Sequence, residues 1–222
     1  MLDIDPSVLL PDLGKALWET GLMSGISLVT ALLLGLPLGF LLHLTRRGQL
    51  LQNRPLNLLV GALINFVRSL PYVILLILVL PLAGILTGTT TGPISASVSL
   101  SVACIVFYAR LVEVSLSEVD RGVVEAAIST GASHWLVVRE VLLPEAFPGL
   151  VRGFTVTAIS LIGYSAMAGV VGGGGVGFLA INYGYYRYET GVMLVTVAVL
   201  VLIVQAIQGI GDRAAARIER FR

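Results

Sequence analysis

Residues 125–144, EAAISTGASHWLVVREVLLP, form a polar segment between two strongly hydrophobic stretches of the chain. Charged and hydroxyl side chains are costly to place in hydrocarbon, so this segment is expected to lie outside a membrane. Valine, alanine and isoleucine residues recur at helical spacing before Gly131. In a membrane protein, such a segment is typical of a surface that another protein holds.

The composition indicates a membrane protein, because hydrophobic residues make up 56% of the 222 residues and charged residues only 12%. A spanning helix needs about 20 mostly apolar residues, since the hydrocarbon core is roughly 30 Å thick. We predict five spans, over residues 19–44, 58–86, 94–112, 150–171 and 189–211. Lipid leaves backbone groups no other partners, so the spans are helices. The chain is predicted to be an all-α integral membrane protein with one transmembrane domain over residues 1–222.

The cations are distributed unevenly along the chain. Eleven of the 14 Lys and Arg residues follow the first span, flank or occupy the loop at residues 113–149, or end the chain. The opposite side has Lys15 and Arg187 together with several acidic residues. Cation-rich loops stay in the cytoplasm, so we predict the N-terminus outside and the C-terminus inside. The net charge of +1 gives no reason to expect a nucleic acid partner.

The loop at residues 113–149 is predicted to fold as two short helices. The first runs from about residue 117 to residue 130, because its valine, alanine and isoleucine residues form one stripe. Gly131 suits the following turn, since glycine tolerates positive φ. Ser133 is a candidate cap for a second helix, which we expect to end before Pro144.

The residues offer no site for catalysis or nucleotide binding. GGGGVG at residues 172–177 lacks the Gly-Lys-Ser/Thr ending of a phosphate loop and follows a membrane span. His43 and His134 have no nucleophile and acid around them, and Cys104 is the only cysteine. Uphill transport would therefore need an ion gradient or another subunit. Gradient-driven carriers usually show charges within their spans, and Arg68 is the only good candidate here.

The order of residues in the 125–144 segment resembles the EAA loop of ABC importer permeases, and the resemblance to methionine importer permeases covers residues 15–215. It rests on the following stretches: WETG at Trp18, GLPLGFLL at Gly35, FVRSLPYVILL at Phe66, the EAA loop, LLPEAFPGLV at Leu142, GYSAMAGVVGGGGVG at Gly163 and NYGYYRY at Asn182. The EAA pattern marks importer permeases broadly. The stretches at Gly163 and Asn182 carry the narrower assignment to methionine.

This resemblance implies a type I ABC importer permease fold with five membrane helices per subunit and a helical cytoplasmic EAA loop. It implies a homodimer in the bacterial inner membrane, with the solute pathway along the two-fold axis. The implied partners are two ABC ATPase subunits, which bind ATP and Mg, and an extracytoplasmic lipoprotein that delivers a small amino acid. The chain itself would bind no cofactor or metal.

Five residues are predicted to make or shape the contact with the ATPase, namely Glu125, Ala126, Ala127, Gly131 and Pro144. Small alanine side chains allow close approach of a partner, and Gly131 sets the corner between the two helices. Closure of the ATPase pair would then move the permease halves.

Tyr164, Ser165 and Met167 are predicted to line the solute pathway. A polar group in an apolar helix costs free energy unless it meets water or a partner, and a methionine side chain offers an adaptable surface to a thioether solute. Packing between helices is the alternative for all three. An outer gate, or merely a flexible connector, is predicted at four consecutive glycines: Gly172, Gly173, Gly174 and Gly175.

The sequence leaves alternatives for the role of Arg68, for the solute and for the class of protein. Arg68 either faces the pathway or pairs with a helix end. The solute is methionine and its derivatives, or another amino acid or an osmoprotectant. A protein of a different class, a self-contained channel or facilitator, would need no ATPase and no polar loop at residues 113–149.

Overall fold

The computed structural model describes residues 6–220, and this part of the chain is a bundle of ten α-helices with three π-helical segments. The first helix, α1 (Pro6–Thr30), continues through a π-helical segment (Ala31–Gly35) into α2 (Leu36–Leu44). The Leu36 N–H donates to the Ala31 carbonyl, five residues back. This wider turn directly precedes Pro37, which cannot donate a helical hydrogen bond and crowds the preceding turn.

The second predicted span is divided between two helices. α3 (Arg54–Ser69) and α4 (Tyr72–Thr87) are bent by 110° at the break between them. Leu70 has ψ 131°, since the ring of Pro71 disfavours helical backbone at the residue before it. The structure thus differs from the predicted continuous helix over residues 58–86.

The centre of the bundle is α5 (Pro93–Ser117), which packs against α1, α2 and α4. The helices around α5 approach it closely, because many residues of α5 are small. Ser95, Ser97 and Ser99 are all buried on this helix. Small residues let membrane helices pack backbone against backbone.

Beyond α5, four elements form the polar segment and the helix after it: α6 (Arg121–Ser129), α7 (His134–Val137), a π-helical segment (Val138–Leu142) and α8 (Leu143–Val170). The side chain of Ser133 accepts the Leu136 N–H and caps α7, which confirms the predicted cap.

The predicted end of this second helix before Pro144 is wrong. Residues His134–Val170 form one continuous helical rod of 37 residues. The Leu143 N–H donates to the Val138 carbonyl across the π-helical turn. As at Pro37, the wider turn precedes the proline and lets the helix continue past it.

The last part of the chain contains α9 (Gly175–Leu179), a π-helical segment (Ala180–Tyr186) and α10 (Thr190–Arg220). Residues 172–188, which lie between the fourth and fifth predicted spans, are therefore mostly helical. This segment packs back onto α1, α8 and α10 instead of projecting from the bundle.

Within residues 6–220, four helices are long and apolar enough to cross a membrane, or five if α3 and α4 together make one span. Much of the outer surface is aliphatic. On α4, for example, Ile74, Ile77, Leu78 and Ile85 are more than half exposed. Such a surface suits contact with lipid and would be costly in water.

The connections between helices gather at two ends of the bundle. At one end, His43 of α2 lies 3.3 Å from the hydroxyl of Ser117 at the close of α5, next to the EAA segment. At the other end, the Gly92 N–H donates to the Gly172 carbonyl at 2.8 Å. We call these the EAA end and the glycine-rich end.

Candidate functional site

At the EAA end, α6 stops in a tight turn at Gly131, whose φ of +85° confirms the predicted left-handed conformation. The Gly131 N–H donates to the Ile128 carbonyl at 2.9 Å, and the Ala132 N–H donates to the Ala127 carbonyl at 3.2 Å. This pair of bonds defines the helix-terminating motif that places a left-handed residue just after the helix. No atom lies within 4 Å of the position that a Cβ atom would take on Gly131. The backbone conformation, and not lack of space, requires glycine here.

The α6 helix presents different residues to the bundle and to solvent. Val124, Glu125 and Ile128 line a cavity shared with the ends of α2 and α5. Ala126 is exposed, and Ala127 is half-buried. The Glu-Ala-Ala sequence is therefore divided between two faces, with Glu125 on the cavity side and Ala126 available to a partner.

Pro144 lies apart from this corner, in the first turn of α8. Pro144 follows the π-helical turn within the continuous helix that joins α7 to α8. Contact between Pro144 and an ATPase stays a prediction.

The three predicted pathway residues have different surroundings on α8. Ser165 is buried, and its hydroxyl donates to the Ile162 carbonyl at 2.8 Å. The ring of Tyr164 stacks on that of Tyr72, with 4.7 Å between the ring centroids. Met167 is 45% exposed. The structure brings only Met167 to the open surface of the chain, whereas Ser165 has the surroundings expected of packing between helices.

Met167 belongs to an exposed or half-exposed strip of α8, which we call the α8 stripe: Val156, Ser160, Gly163, Met167 and Val170. No atom lies within 4 Å of the position that a Cβ atom would take on Gly163. The stripe contains glycine and serine, unlike the aliphatic surface of α4. Small and polar residues are typical of contacts between membrane helices. Sequence reasoning identified Met167 but missed the stripe as a surface.

The glycine-rich turn at residues 171–175 is held by hydrogen bonds on both sides. Gly172, Gly174 and Gly175 have φ of +84°, +78° and +83°. The Gly173 N–H donates to the Ala168 carbonyl at 2.9 Å, and the Gly172 N–H donates to the Gly169 carbonyl at 3.2 Å. The four glycines proposed as a gate thus make a defined turn between α8 and α9.

Side chains of α1 cap the short helix that follows this turn. Glu19 Oε2 accepts the Gly175 N–H at 2.8 Å, and Thr20 Oγ1 accepts the Val176 N–H at 3.0 Å. These bonds satisfy two amides at the start of α9 that have no partner within the helix. Glu19 and Thr20 stand in the WETG stretch, but their role was missed, since nothing local in the sequence links them to glycines so far along the chain.

Arg68 is exposed in the last turn of α3, directly before the bend. Within residues 6–220, it forms no ion pair with an acidic side chain. A cation is favourable close to the carboxyl end of its own helix. Arg68 thus lies at a helix end, and a pathway role for it stays a prediction.

In the part of the chain that the structure describes, no group of three or more His, Cys, Asp or Glu residues is placed to hold a metal ion. The candidate site consists of the exposed face of α6, the corner at Gly131, the α8 stripe and the glycine-rich turn.

An apolar helical bundle that carries a solvent-facing helix, glycine corner and second helix at one end has the architecture of a transport permease driven by another protein. The family described as "Binding-protein-dependent transport system inner membrane component" matches residues 12–220, and the chain belongs to this family. It is a multi-pass inner-membrane permease subunit of an ABC transporter, not an enzyme, and the ATPase is a separate protein.

Relatives match nearly the whole chain. The "Probable D-methionine transport system permease protein MetI" of Vibrio cholerae serotype O1 is 45% identical over 204 residues, covering 92% of this chain and 91% of that protein. The "Methionine import system permease protein MetP" of Bacillus subtilis is 46% identical over 207 residues, covering 93% of both proteins.

A solved structure has the same fold. The chain resembles a chain of the MetNI methionine ABC transporter in an inward-facing conformation, with a TM-score of 0.94 and 41% identity, over 97% of this chain and 99% of that one. A chain of an amino acid ABC transporter crystallised with histidines gives a TM-score of 0.78 at 18% identity, which shows the fold alone.

Proposed function

We propose that two copies of this chain form the membrane pathway of an ATP-driven importer for methionine and related derivatives. The corner at Gly131 carries the proposal, because it holds a short helix with an exposed alanine face at the end of an otherwise apolar bundle. The names of the relatives support methionine as the solute. The further partners are two ATPase subunits and an extracytoplasmic lipoprotein that delivers the solute.

The EAA end is proposed to face the cytoplasm. The distribution of exposed Lys and Arg side chains supports this orientation, because far more of them lie at the EAA end than at the glycine-rich end. The group at the EAA end comprises Arg46, Arg47, Arg54, Arg121, Arg139, Arg152, Arg213 and Arg217. Among the cations that the structure describes, only Lys15 and Arg187 lie at the glycine-rich end. This orientation puts the N-terminus outside and α6 on the side where ATP is available.

The exposed face of α6 is proposed to dock on the ATPase. Ala126 is the better probe of this contact than Ala127, since Ala126 faces away from the bundle and Ala127 is half-buried. Replacing Ala126 with arginine places a bulky charge where the partner would approach and leaves the helix and its caps intact.

Variant Ala126→Arg is therefore expected to lose co-purification of the ATPase and ATP-dependent uptake. Ala216→Arg is the matched control, because it makes the same substitution on an exposed position of α10 near the same end. Equal loss in both variants, or parental uptake in Ala126→Arg, contradicts docking through α6.

The α8 stripe is proposed to face the two-fold axis and the solute pathway. A cysteine-free background is available by replacing Cys104, which is buried and the only cysteine of the chain. In that background, Met167→Cys is expected to react with a soluble thiol reagent in at least one nucleotide state. Ser165→Cys is the matched buried control and is expected to stay unlabelled. The assignment fails if Met167→Cys is unreactive throughout or if both positions react alike.

The glycine-rich turn is proposed as the outer gate, at the level where a delivering lipoprotein would meet the bundle. The three left-handed glycines support a sharp change of chain direction there. The caps from Glu19 and Thr20 tie this turn to α1. Movement of α1 would therefore reach the gate directly.

The choice of solute is tested by uptake. Vesicles containing the permease, its co-purifying ATPase and its binding protein are expected to accumulate labelled methionine only with ATP. Unlabelled methionine should compete, whereas histidine and glycine betaine should not. Preference for either competitor would assign the importer to another amino acid or an osmoprotectant, and uptake without ATP would indicate a facilitator.

A further inference from the structure

A cavity of about 600 Å³ lies behind α6 at the EAA end, between that helix and the ends of α2 and α5. Three arginines line it, Arg46, Arg47 and Arg121, against a single carboxylate, that of Glu125. None of the three arginines forms an ion pair within residues 6–220. The lining thus has an excess of positive charge with no protein partner.

The linker that carries two of these arginines is folded and not loose. The Leu51 N–H donates to the Leu44 carbonyl at 3.1 Å, and the Asn53 N–H donates to the Thr45 carbonyl at 2.9 Å. Asn57 of α3 donates to the Leu42 carbonyl at 2.7 Å. These bonds fix the backbone of Arg46 and Arg47 beside the cavity before any ligand arrives, which lowers the ordering cost of binding.

The remaining walls are mixed. The apolar part includes Leu50, Leu116, Val124 and Leu142, and the polar part is formed by His43, Gln49, Ser117 and His134. A phosphate ion alone would leave most of such a cavity unfilled. An amphipathic ligand fits better, because its phosphate can meet the guanidinium groups while its glycerol and the first acyl carbons cover the apolar walls. The cavity also lies at the ends of spanning helices, where lipid headgroups are found.

We propose that this cavity binds one anionic phospholipid, with the headgroup phosphate held by Arg46, Arg47 and Arg121. Basic pockets between membrane helices on the cytoplasmic side bind anionic headgroups. The lipid would support α6 from behind, since Val124, Glu125 and Ile128 of that helix line the same cavity. The opposite face of α6, which carries Ala126, stays free. The proposal is independent of which solute is transported.

The test is native mass spectrometry of the full chain purified with its ATPase and titrated with phosphatidylglycerol or phosphatidylcholine. The wild type is expected to retain one phosphatidylglycerol per chain in preference to phosphatidylcholine. Arg46→Gln combined with Arg121→Gln is expected to weaken phosphatidylglycerol binding about thirtyfold, from the usual contribution of two cations near a membrane surface. Arg213→Gln combined with Arg217→Gln removes the same charge from exposed positions of α10 at the same end and is expected to change binding less than threefold.

Two further measurements separate a lost site from a misfolded protein. Arg46→Lys combined with Arg121→Lys keeps the charge and loses the forked guanidinium geometry, so its loss is expected to be smaller than that of the glutamine pair. All pairs are compared for thermal unfolding in detergent. A glutamine pair that melts like the wild type and has lost the lipid supports the cavity.

Four outcomes overturn the proposal. Equal retention of the two lipids shows that charge is not recognised, and an equal loss in the α10 control pair shows general surface attraction. Displacement of phosphatidylglycerol by millimolar inorganic phosphate shows that a free anion is the ligand. Release of the ATPase from the glutamine pair with unchanged lipid retention shows that the arginines belong to a protein interface.

Discussion

Glycine occurs at both ends of the bundle, but the structural reason for it differs between the two ends. At the EAA end, Gly131 turns the chain where no neighbouring atom limits its size. At the glycine-rich end, a Cβ atom on Gly173 would come within 2.7 Å of the Ala168 carbonyl oxygen, and one on Gly177 within 2.6 Å of the Ala166 carbonyl oxygen. Glycine is required at position 131 by the backbone conformation, and at positions 173 and 177 by close packing. A glycine-rich sequence therefore does not by itself indicate a flexible hinge.

The largest effect is expected for Gly177→Ala, because a methyl group there overlaps the backbone of Ala166. Alanine would otherwise favour a helix, so any loss comes from the close approach of α9 to α8. The free energy of unfolding is expected to fall by about 3 kcal/mol in a denaturing-detergent titration. Gly21→Ala on α1 is the control, since no atom lies near its Cβ position, and it should be neutral or stabilising. A loss of the same size at Gly21 would remove the packing explanation.

A smaller effect is expected for Glu19→Ala, which removes the acceptor of the Gly175 N–H. The unfolding free energy should fall by about 1–2 kcal/mol, because a partly buried donor loses its partner. Amide hydrogen exchange over residues 172–179 should accelerate at the same time.

Lys15→Ala is the control for Glu19→Ala. It removes the 3.9 Å ion pair between Lys15 and Glu19 but keeps the hydrogen bond to Gly175. Exposed ion pairs of this kind contribute about 0.5 kcal/mol or less. If Lys15→Ala loosens the glycine-rich turn as much as Glu19→Ala, the cap is not what holds it.

The smallest effect on stability is expected for Gly131→Ala. A left-handed alanine costs about 1–2 kcal/mol, and the cost falls on the end of α6 and not on the bundle. The unfolding free energy of the bundle should therefore stay parental while ATP-dependent uptake decreases. Gly131→Asn should restore uptake, since asparagine tolerates this conformation. Parental uptake in Gly131→Ala would show that the corner does not need its left-handed residue.

Features that depend on nearby residues could be predicted from the sequence. Long apolar stretches predict membrane helices, and the corner at Gly131 and the cap at Ser133 follow from neighbours within a few positions. Local reasoning overlooked the break at Pro71, where the apolar pattern continues across a proline. It also ended a helix at Pro144, because a π-helical turn that accommodates proline leaves no simple signature in the pattern.

Features that depend on distant residues could not be predicted. The contact between Glu19 and Gly175 joins positions 156 residues apart. The burial of Ser165 and the exposure of Met167 depend on which face of α8 meets α5. A polar residue in an apolar helix gives no indication of that face, because its hydroxyl can bond to its own backbone, as Ser165 does.

The continuous rod at His134–Val170 begins three residues after Gly131 and ends just before the glycine-rich turn. At about 1.5 Å per residue, its 37 residues reach roughly 55 Å, further than a bilayer is thick. A displacement of one end of this helix would therefore be transmitted to its other end on the opposite side of the membrane, because no loop interrupts the helix. The two prolines within it, Pro144 and Pro148, are where this helix would flex.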